Sequence, residues 1–283
     1  TGIPYSFTAH AKDIYHESVD AALLKEKILG ARFVITVSEY NRRHLAELAG
    51  EDLTGKILRL YNGIDMTRFQ PDPSIYREPD LILAVGRLVE KKGFHHLVQA
   101  CRLLQDRGCP FQCVIVGDGP EHAPLAQQII TLGLQDRVVL VGALSQERVL
   151  DTLKRATVMA LPCLVSATGD RDGLPTVLLE ALAVGLPAIS TTLAGIPEII
   201  DHGKTGLLVP PGDPMLLAKA IEEVLANPDL QERLAREGRS KAEEAFNIRK
   251  NVLVLGDLFT RSTVGPERLV EPARDEDRLP LVG

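Results

Sequence analysis

Two basic residues five positions apart, Arg87 and Lys92, stand in the stretch Gly86-Arg87-Leu88-Val89-Glu90-Lys91-Lys92-Gly93, directly behind the apolar run 81–85. A guanidinium offers a rigid fork of donors and an ammonium a mobile point charge, a combination suited to a diphosphate. Both would serve equally as surface partners of Glu90, and residue type alone leaves the two uses open. A second group follows in Gly169-Asp170-Arg171-Asp172-Gly173-Leu174-Pro175, with Glu180 eight positions after Asp172. A helix starting near Pro175 sets Asp172 in the loop before it and Glu180 two turns inside. Ionised carboxylates only accept hydrogen bonds, which suits sugar hydroxyls at the first position and the vicinal diol of a ribose at the second. Gly173 permits close backbone approach, Pro175 suits a first helical turn, and the free N–H groups of the helix start attract an anion. The plainer alternative has Asp172 capping the helix and Glu180 paired with Lys or Arg. Yet a single Glu among Leu178, Leu179, Ala181, Leu182 and Ala183 is an odd choice on a core-facing helix.

Groups so placed need a scaffold that presents strand ends, and the pattern supplies one. Short β-branched runs at 33–37, 57–61, 81–85, 112–116, 138–141, 157–161, 188–191 and 207–209 alternate with amphipathic stretches at 93–106, 121–132, 146–155, 175–184 and 214–226. The alternation predicts an α/β fold, with doubly wound parallel sheets covered by helices on both faces, whose strand ends open on a ligand crevice. Three prolines and three acids in 70–80 disfavour a continuous helix or central strand and place a domain boundary there. Residues 1–75 then read as the trailing part of one domain, 76–246 as a complete second domain, 247–262 as a helix packing back, and 263–283, mostly charge and proline, as a disordered tail. The strongly charged stretch 231–245 reads as a solvent-facing helix.

Composition narrows the function. With 283 residues, 32 Lys plus Arg against 38 Asp plus Glu and a formal charge of −6, the chain lacks the basic excess that a nucleic-acid backbone calls for. The uncharged run between Glu180 and Glu198 is broken by Gly185, Pro187 and Gly195, so no membrane span is expected. Cys101, Cys109, Cys113 and Cys163 lack metal-ligand spacing and read as four buried, reduced thiols of a cytosolic protein. The opening Thr1-Gly2-Ile3-Pro4 is no secretory leader and reads as the cut end of something longer. A nicotinamide enzyme wants GxGxxG at its first helix, and VGDGPEH lacks the third glycine.

Several ordered motifs together resemble the donor domain of family 4 of the retaining glycosyltransferases, of the GT-B fold: GR(x)4KG at 86–93, VGDGP at 116–120, DGLPTVLLEALAVGLPAIST at 172–191, AGIPEII at 194–200 and GLLVPPGD at 206–213. The likeness runs from about 31 to 246 and is nearest to exopolysaccharide glycosyltransferases of the colanic-acid type. It implies transfer of a glycosyl group from a nucleotide sugar to a saccharide or lipid-linked acceptor with retention, without an essential metal or other cofactor. Arg87 and Lys92 match the pair that holds the diphosphate, and Glu180 matches the second glutamate of E(x)7E, which binds the ribose. Asp172 stands where the first glutamate contacts the transferred sugar, one methylene shorter. Gly173 and Leu174 match backbone contacts to phosphate or sugar, and Gly86, Gly117 and Pro175 complete the expected donor-binding set. By chemistry alone a single His after an apolar strand is more often structural, but His10, in SFTAHAKDI, matches the acceptor-domain His that faces the donor sugar. Asn62-Gly63-Ile64-Asp65 matches an interdomain loop. The resemblance also implies a cytoplasmic location at the inner membrane face, with membrane contact made by residues preceding Thr1. A binding module without catalysis, or an inactive fragment, is the alternative carried forward. Two DxD triplets, 170–172 and 275–277, are expected to hold no metal.

Overall fold

The computed structural model describes residues 3–263. The expected tail, from 264 onward, and the triplet 275–277 lie outside the described residues.

Two parallel sheets form. The first is made of β1 (Phe7–Ala9), β2 (Val34–Thr36) and β3 (Ile57–Arg59) in that order, interleaved with α1 (Ala11–Tyr15), α2 (Ala21–Gly30) and α3 (Glu39–Ala49). The sequence reading names only β2 and β3 as strands here; β1 is three residues long with a single buried position, too short to show an apolar run. Residues 70–80 form neither helix nor strand.

The second sheet starts at β4 (Leu81–Val85) and continues through α4 (Phe94–Asp106), β5 (Gln112–Val116), α5 (His122–Thr131), β6 (Val138–Leu140), α6 (Gln146–Arg155), β7 (Val158–Leu161), α7 (Thr176–Ala183), β8 (Ala188–Thr191), α8 (Ile196–Ile199) and β9 (Leu207–Val209), followed by α9 (Pro214–Leu225). Its order, β6-β5-β4-β7-β8-β9, is that of a doubly wound nucleotide-binding sheet with the switch point between β4 and β7. Every residue of β7 and β8 is buried, as strands covered on both faces must be.

Two helices close the described chain. In α10 (Pro228–Ala245) Leu230, Leu234, Gly238 and Ala242 are buried and the helix lies against α7, so the expectation of a solvent-facing helix holds for its charged face only. Helix α11 (Ile248–Thr263) returns to the first sheet, where Phe259 meets the ring of buried Phe33 at 5.3 Å. The loop 62–65 meets the junction of these helices: the Ile64 N–H donates to Phe246 O at 2.7 Å and the Ile248 N–H to Ile64 O at 3.1 Å. No helix among the described residues is long and apolar enough to cross a membrane. All four thiols are free; Cys101, Cys113 and Cys163 are buried as expected, but Cys109 is half-exposed and donates to Glu222 Oε1 at 3.2 Å.

Candidate functional site

At the switch point the ends of β4, β5 and β6 are drawn together by glycines. The Gly86 N–H donates to Val116 O at 3.0 Å and the Gly117 N–H to Gly142 O at 2.9 Å. Gly117 has φ of +145°, and a Cβ there would collide with the Gly86 carbonyl oxygen, so no larger residue fits. The Lys92 stem runs across Gly86, with Cε 3.3 Å from where a Gly86 Cβ would stand. The basic turn ends at Gly93, whose φ of +67° and closeness to Pro162 O anchor it beside the end of β7. Arg87 is exposed, its side chain makes no hydrogen bond or ion pair with the described residues, and its charge is felt at Lys92.

The loop before α7 closes over this turn. Lys92 Nζ lies 2.6 Å from Asp172 Oδ2, and Lys91 Nζ lies 3.0 Å from Asp170 Oδ2 and 3.5 Å from Asp172 Oδ1. The Cys163 thiol donates to Asp172 Oδ2 at 3.5 Å, and Cys163 is itself placed by Thr191, whose hydroxyl donates to Cys163 O at 2.7 Å. Burial pulls the Lys92 ammonium down, but the Asp172 carboxylate outweighs it and leaves the lysine raised. Burial likewise pushes Asp172 up, Lys92 overrides it, and the carboxyl ends below its ordinary value. Burial pushes the Cys163 thiol far up, and the neighbouring carboxylate adds to the effect. Neither plain alternative from the sequence occurs here: Lys92 pairs with Asp172 rather than Glu90, which instead accepts from the Ala167 N–H at 3.1 Å, and Asp172 bonds lysines instead of capping α7.

Pro175 occupies the cap position of α7, one residue before the helical turn expected for it. Two turns on, Glu180 is half-buried and accepts from no described side chain. Burial pushes its carboxyl up to about 7, with Arg68 opposing. Glu180, Thr176 and Val177 from α7, Val85 from β4 with Gly86 just after it, Lys92, and Gln146 and Val149 from α6 line a hollow of about 270 Å³. The structure thus brings Gly86, Lys92 and Glu180 to one cavity, with Gly117 behind Gly86 and Asp172 behind Lys92.

The first sheet meets the same loop from the other side. Gly173 is buried, and a Cβ on it would stand 3.2 Å from Ala11 Cβ and 3.0 Å from Asn41 Nδ2, so the residue after His10 abuts the loop. His10 is exposed at the cap of α1, its N–H donating to Asp13 Oδ2 at 3.0 Å. Leu174, next to Gly173, is buried and turns the chain into α7. Arg171, between the two loop acids, points to the first sheet: its guanidinium lies 4.6 Å from the Tyr15 ring centre and Nη1 donates to the Tyr40 hydroxyl at 3.4 Å. Glu198 accepts from the N–H groups of Glu39 at 2.7 Å and Tyr40 at 2.9 Å and from the Tyr61 hydroxyl at 3.0 Å.

Sequence reasoning assigned no role to Lys91, Arg171, Gln146 or Glu198. Glu198 lies inside the quoted AGIPEII, but its partners are more than a hundred residues away and left no local signal.

Comparison with known proteins settles the family. The profile described as "Glycosyl transferases group 1" matches residues 65–241. The chain belongs to that family. It is similar to WcaL of Escherichia coli, named as a colanic acid biosynthesis glycosyltransferase, at 39% identity over 65% of this chain and 46% of the relative. It is also similar to the amylovoran biosynthesis glycosyltransferase AmsK of Erwinia amylovora, at 37% over 65% of this chain and 47% of the relative. A GDP-mannose-dependent phosphatidylinositol monomannoside mannosyltransferase of Mycobacterium tuberculosis is 33% identical over 74% of this chain and 57% of its own length. The chain spans about half the length of these curated relatives. Among solved structures, Anabaena HepE in complex with UDP superposes with a TM-score of 0.80 at 21% identity, covering 91% of this chain and 72% of that one. The fold is therefore the GT-B type that the motifs implied.

Proposed function

We propose that this chain provides the donor site, and part of the facing acceptor side, of a glycosyltransferase that moves a sugar from a nucleoside diphosphosugar to a saccharide or lipid-linked acceptor with retention of anomeric configuration. In this reading residues 1–75 belong to the acceptor domain, 76–246 form the donor domain, and the product is an exopolysaccharide or cell-envelope glycan made at the cytoplasmic face of a membrane. The observation that carries it is the cavity at the switch point, where an ammonium, a glycine lip, the start of α7 and an unpartnered carboxylate converge. Relatives named for colanic acid and amylovoran synthesis support the product class, and solved neighbours described with UDP and with UDP-glucose support the donor class.

In the proposed mechanism the diphosphate lies across Gly86 between Lys92, Arg87 and the N–H groups at the start of α7, and Glu180 accepts from the ribose diol. The acceptor hydroxyl attacks from the face the phosphate leaves, and the departing phosphate takes the hydroxyl proton. Negative charge grows on that phosphate, and fixed cations and helix N–H groups stabilise it without reorganising. Each contributes a few kcal/mol, about 3, by analogy with oxyanion donors. His10 faces the donor sugar from α1. This mechanism places the charge of the departing phosphate on Lys92, Arg87 and the helix N–H groups and assigns no step to a metal.

A thermal-shift panel of UDP, GDP and ADP sugars tests the reading, because a ligand that binds only the folded state raises its melting temperature with concentration. At least one sugar nucleotide is expected to do so, and the shift should vanish in Arg87→Ala/Lys92→Met. A folded sample that responds to none contradicts it. A second reading, binding without transfer, is favoured by Asp172 lying on Lys92 rather than free in the cavity. Glycosyl transfer measured with the purified chain decides between the two.

A further inference from the structure

The four charges at the basic turn cancel. Lys91 and Lys92 face Asp170 and Asp172, and the ammonium that lines the cavity is the one held most tightly, at 2.6 Å. Arg87, one residue beyond the Gly86 that lines the cavity, is exposed and pairs with no described side chain. Both partners of the tight pair are largely shielded, with about 14% of each side chain exposed, so neither ion can trade its partner for water at low cost. Only another anion can take the place of Asp172 on Lys92. We propose that Asp172 is a built-in competitor of the donor diphosphate: it occupies Lys92 in the empty site, is displaced when the donor binds, and is thereby released toward the transferred sugar. The proposal rests on the donor-binding reading above.

The loop is constructed for such an exchange. Lys91 stays within 3.5 Å of Asp172 Oδ1 and acts as a tether while Oδ2 lets go of Lys92. Gly169, at φ +77°, and Gly173 flank the moving segment, and the Ser166 N–H closes it into a turn on Asp170 O at 2.9 Å. Lys91 is therefore a positioning residue for Asp172.

The test is calorimetric titration of UDP and of UDP-glucose, or of whichever base the thermal-shift panel selects, into wild type, Asp172→Asn and Asp170→Asn. Removing the competitor leaves a buried ammonium that the ligand compensates, so Asp172→Asn should bind UDP about tenfold more tightly than wild type. In the same variant any gain from the attached glucose should disappear, because the released carboxylate is gone. Asp170→Asn, which leaves the Lys92 pair intact, should change UDP affinity less than twofold. Unchanged or weakened UDP binding by Asp172→Asn overturns the competition while leaving the donor site standing, whereas failure of wild type to bind any nucleoside diphosphate removes the underlying reading as well. If Asp172→Asn does not fold, amide exchange of wild type over 166–174 decides: saturating UDP should accelerate it, and slower or unchanged exchange refutes the displacement.

Discussion

Asp172, in the loop before α7, touches two ammonium groups and a thiol and is held below its ordinary value; Glu180, two turns into the same helix, accepts from no described side chain and is pushed up to about 7. Glu180 lines the cavity and Asp172 lies behind its Lys92 wall, and burial raises the cost of charge on both. The difference is compensation: the loop acid has cations beside it, and the helix acid has no side-chain donor among the described residues. An unpartnered, half-buried carboxylate is tolerable at a ligand site and wasteful elsewhere, which is why Glu180, rather than the better-bonded Asp172, reads as the waiting contact.

Stripping the partnered acid should have the largest effect. Lys92→Met leaves Asp172 buried with the longer Lys91 contact and the weak Cys163 thiol donor, and urea unfolding should show a loss of about 3 kcal/mol, together with loss of UDP-glucose binding in titration. For the unpartnered acid the two measurements should move in opposite directions. Glu180→Gln should weaken UDP-glucose binding about tenfold near pH 8 yet raise unfolding free energy there by about 1 kcal/mol. A carboxyl whose folded value of about 7 exceeds its ordinary 4.5 binds more protons folded than unfolded across that interval. Stability therefore falls as pH rises from 4.5 to about 7, and the gain in Glu180→Gln should be complete above that window and absent below it. Wild-type UDP-glucose affinity should drop as pH is lowered from about 8 to about 6, since the protonated acid is the poorer acceptor, and Glu180→Gln should be flat over the same range. Equal pH slopes would mean that Glu180 does not face the ligand. The smallest effect is expected at the thiol: Cys163→Ala removes one weak donor to Asp172 and should cost about 1 kcal/mol, with UDP-glucose affinity little changed. In the folded wild type Cys163 should resist alkylation, because burial keeps its thiol protonated.

Much of the second sheet was legible in the sequence. The strands β4, β5, β8 and β9 fall on the expected residues, because parallel strands covered on both faces write themselves as apolar runs between breakers. The strand β1 did not, being three residues with an exposed centre. Helix α10 carries its buried stripe at Leu230, Leu234, Gly238 and Ala242, but Gly and Ala in that stripe are weak signals against so many charges. Within the site, spacing placed Lys92 and Glu180 on a common crevice, since each follows directly from a strand end or a helix start. The sequence offers Asp172 as a sugar contact or a helix cap; its lysine partner is brought to it by strand order, a long-range fact that no local window contains. For the same reason the placement of the Arg171 guanidinium over the Tyr15 ring left no local signal.

Glu198 spends one carboxylate on three donors that all belong to the other sheet's neighbourhood. Swinging the two halves apart would strand two amides and a phenol in a single step, so the cleft should open as a catch releases rather than as a spring stretches. In the proposed reading, the direction from which His10 faces the donor site is then set by a carboxylate on the opposite side of the cleft.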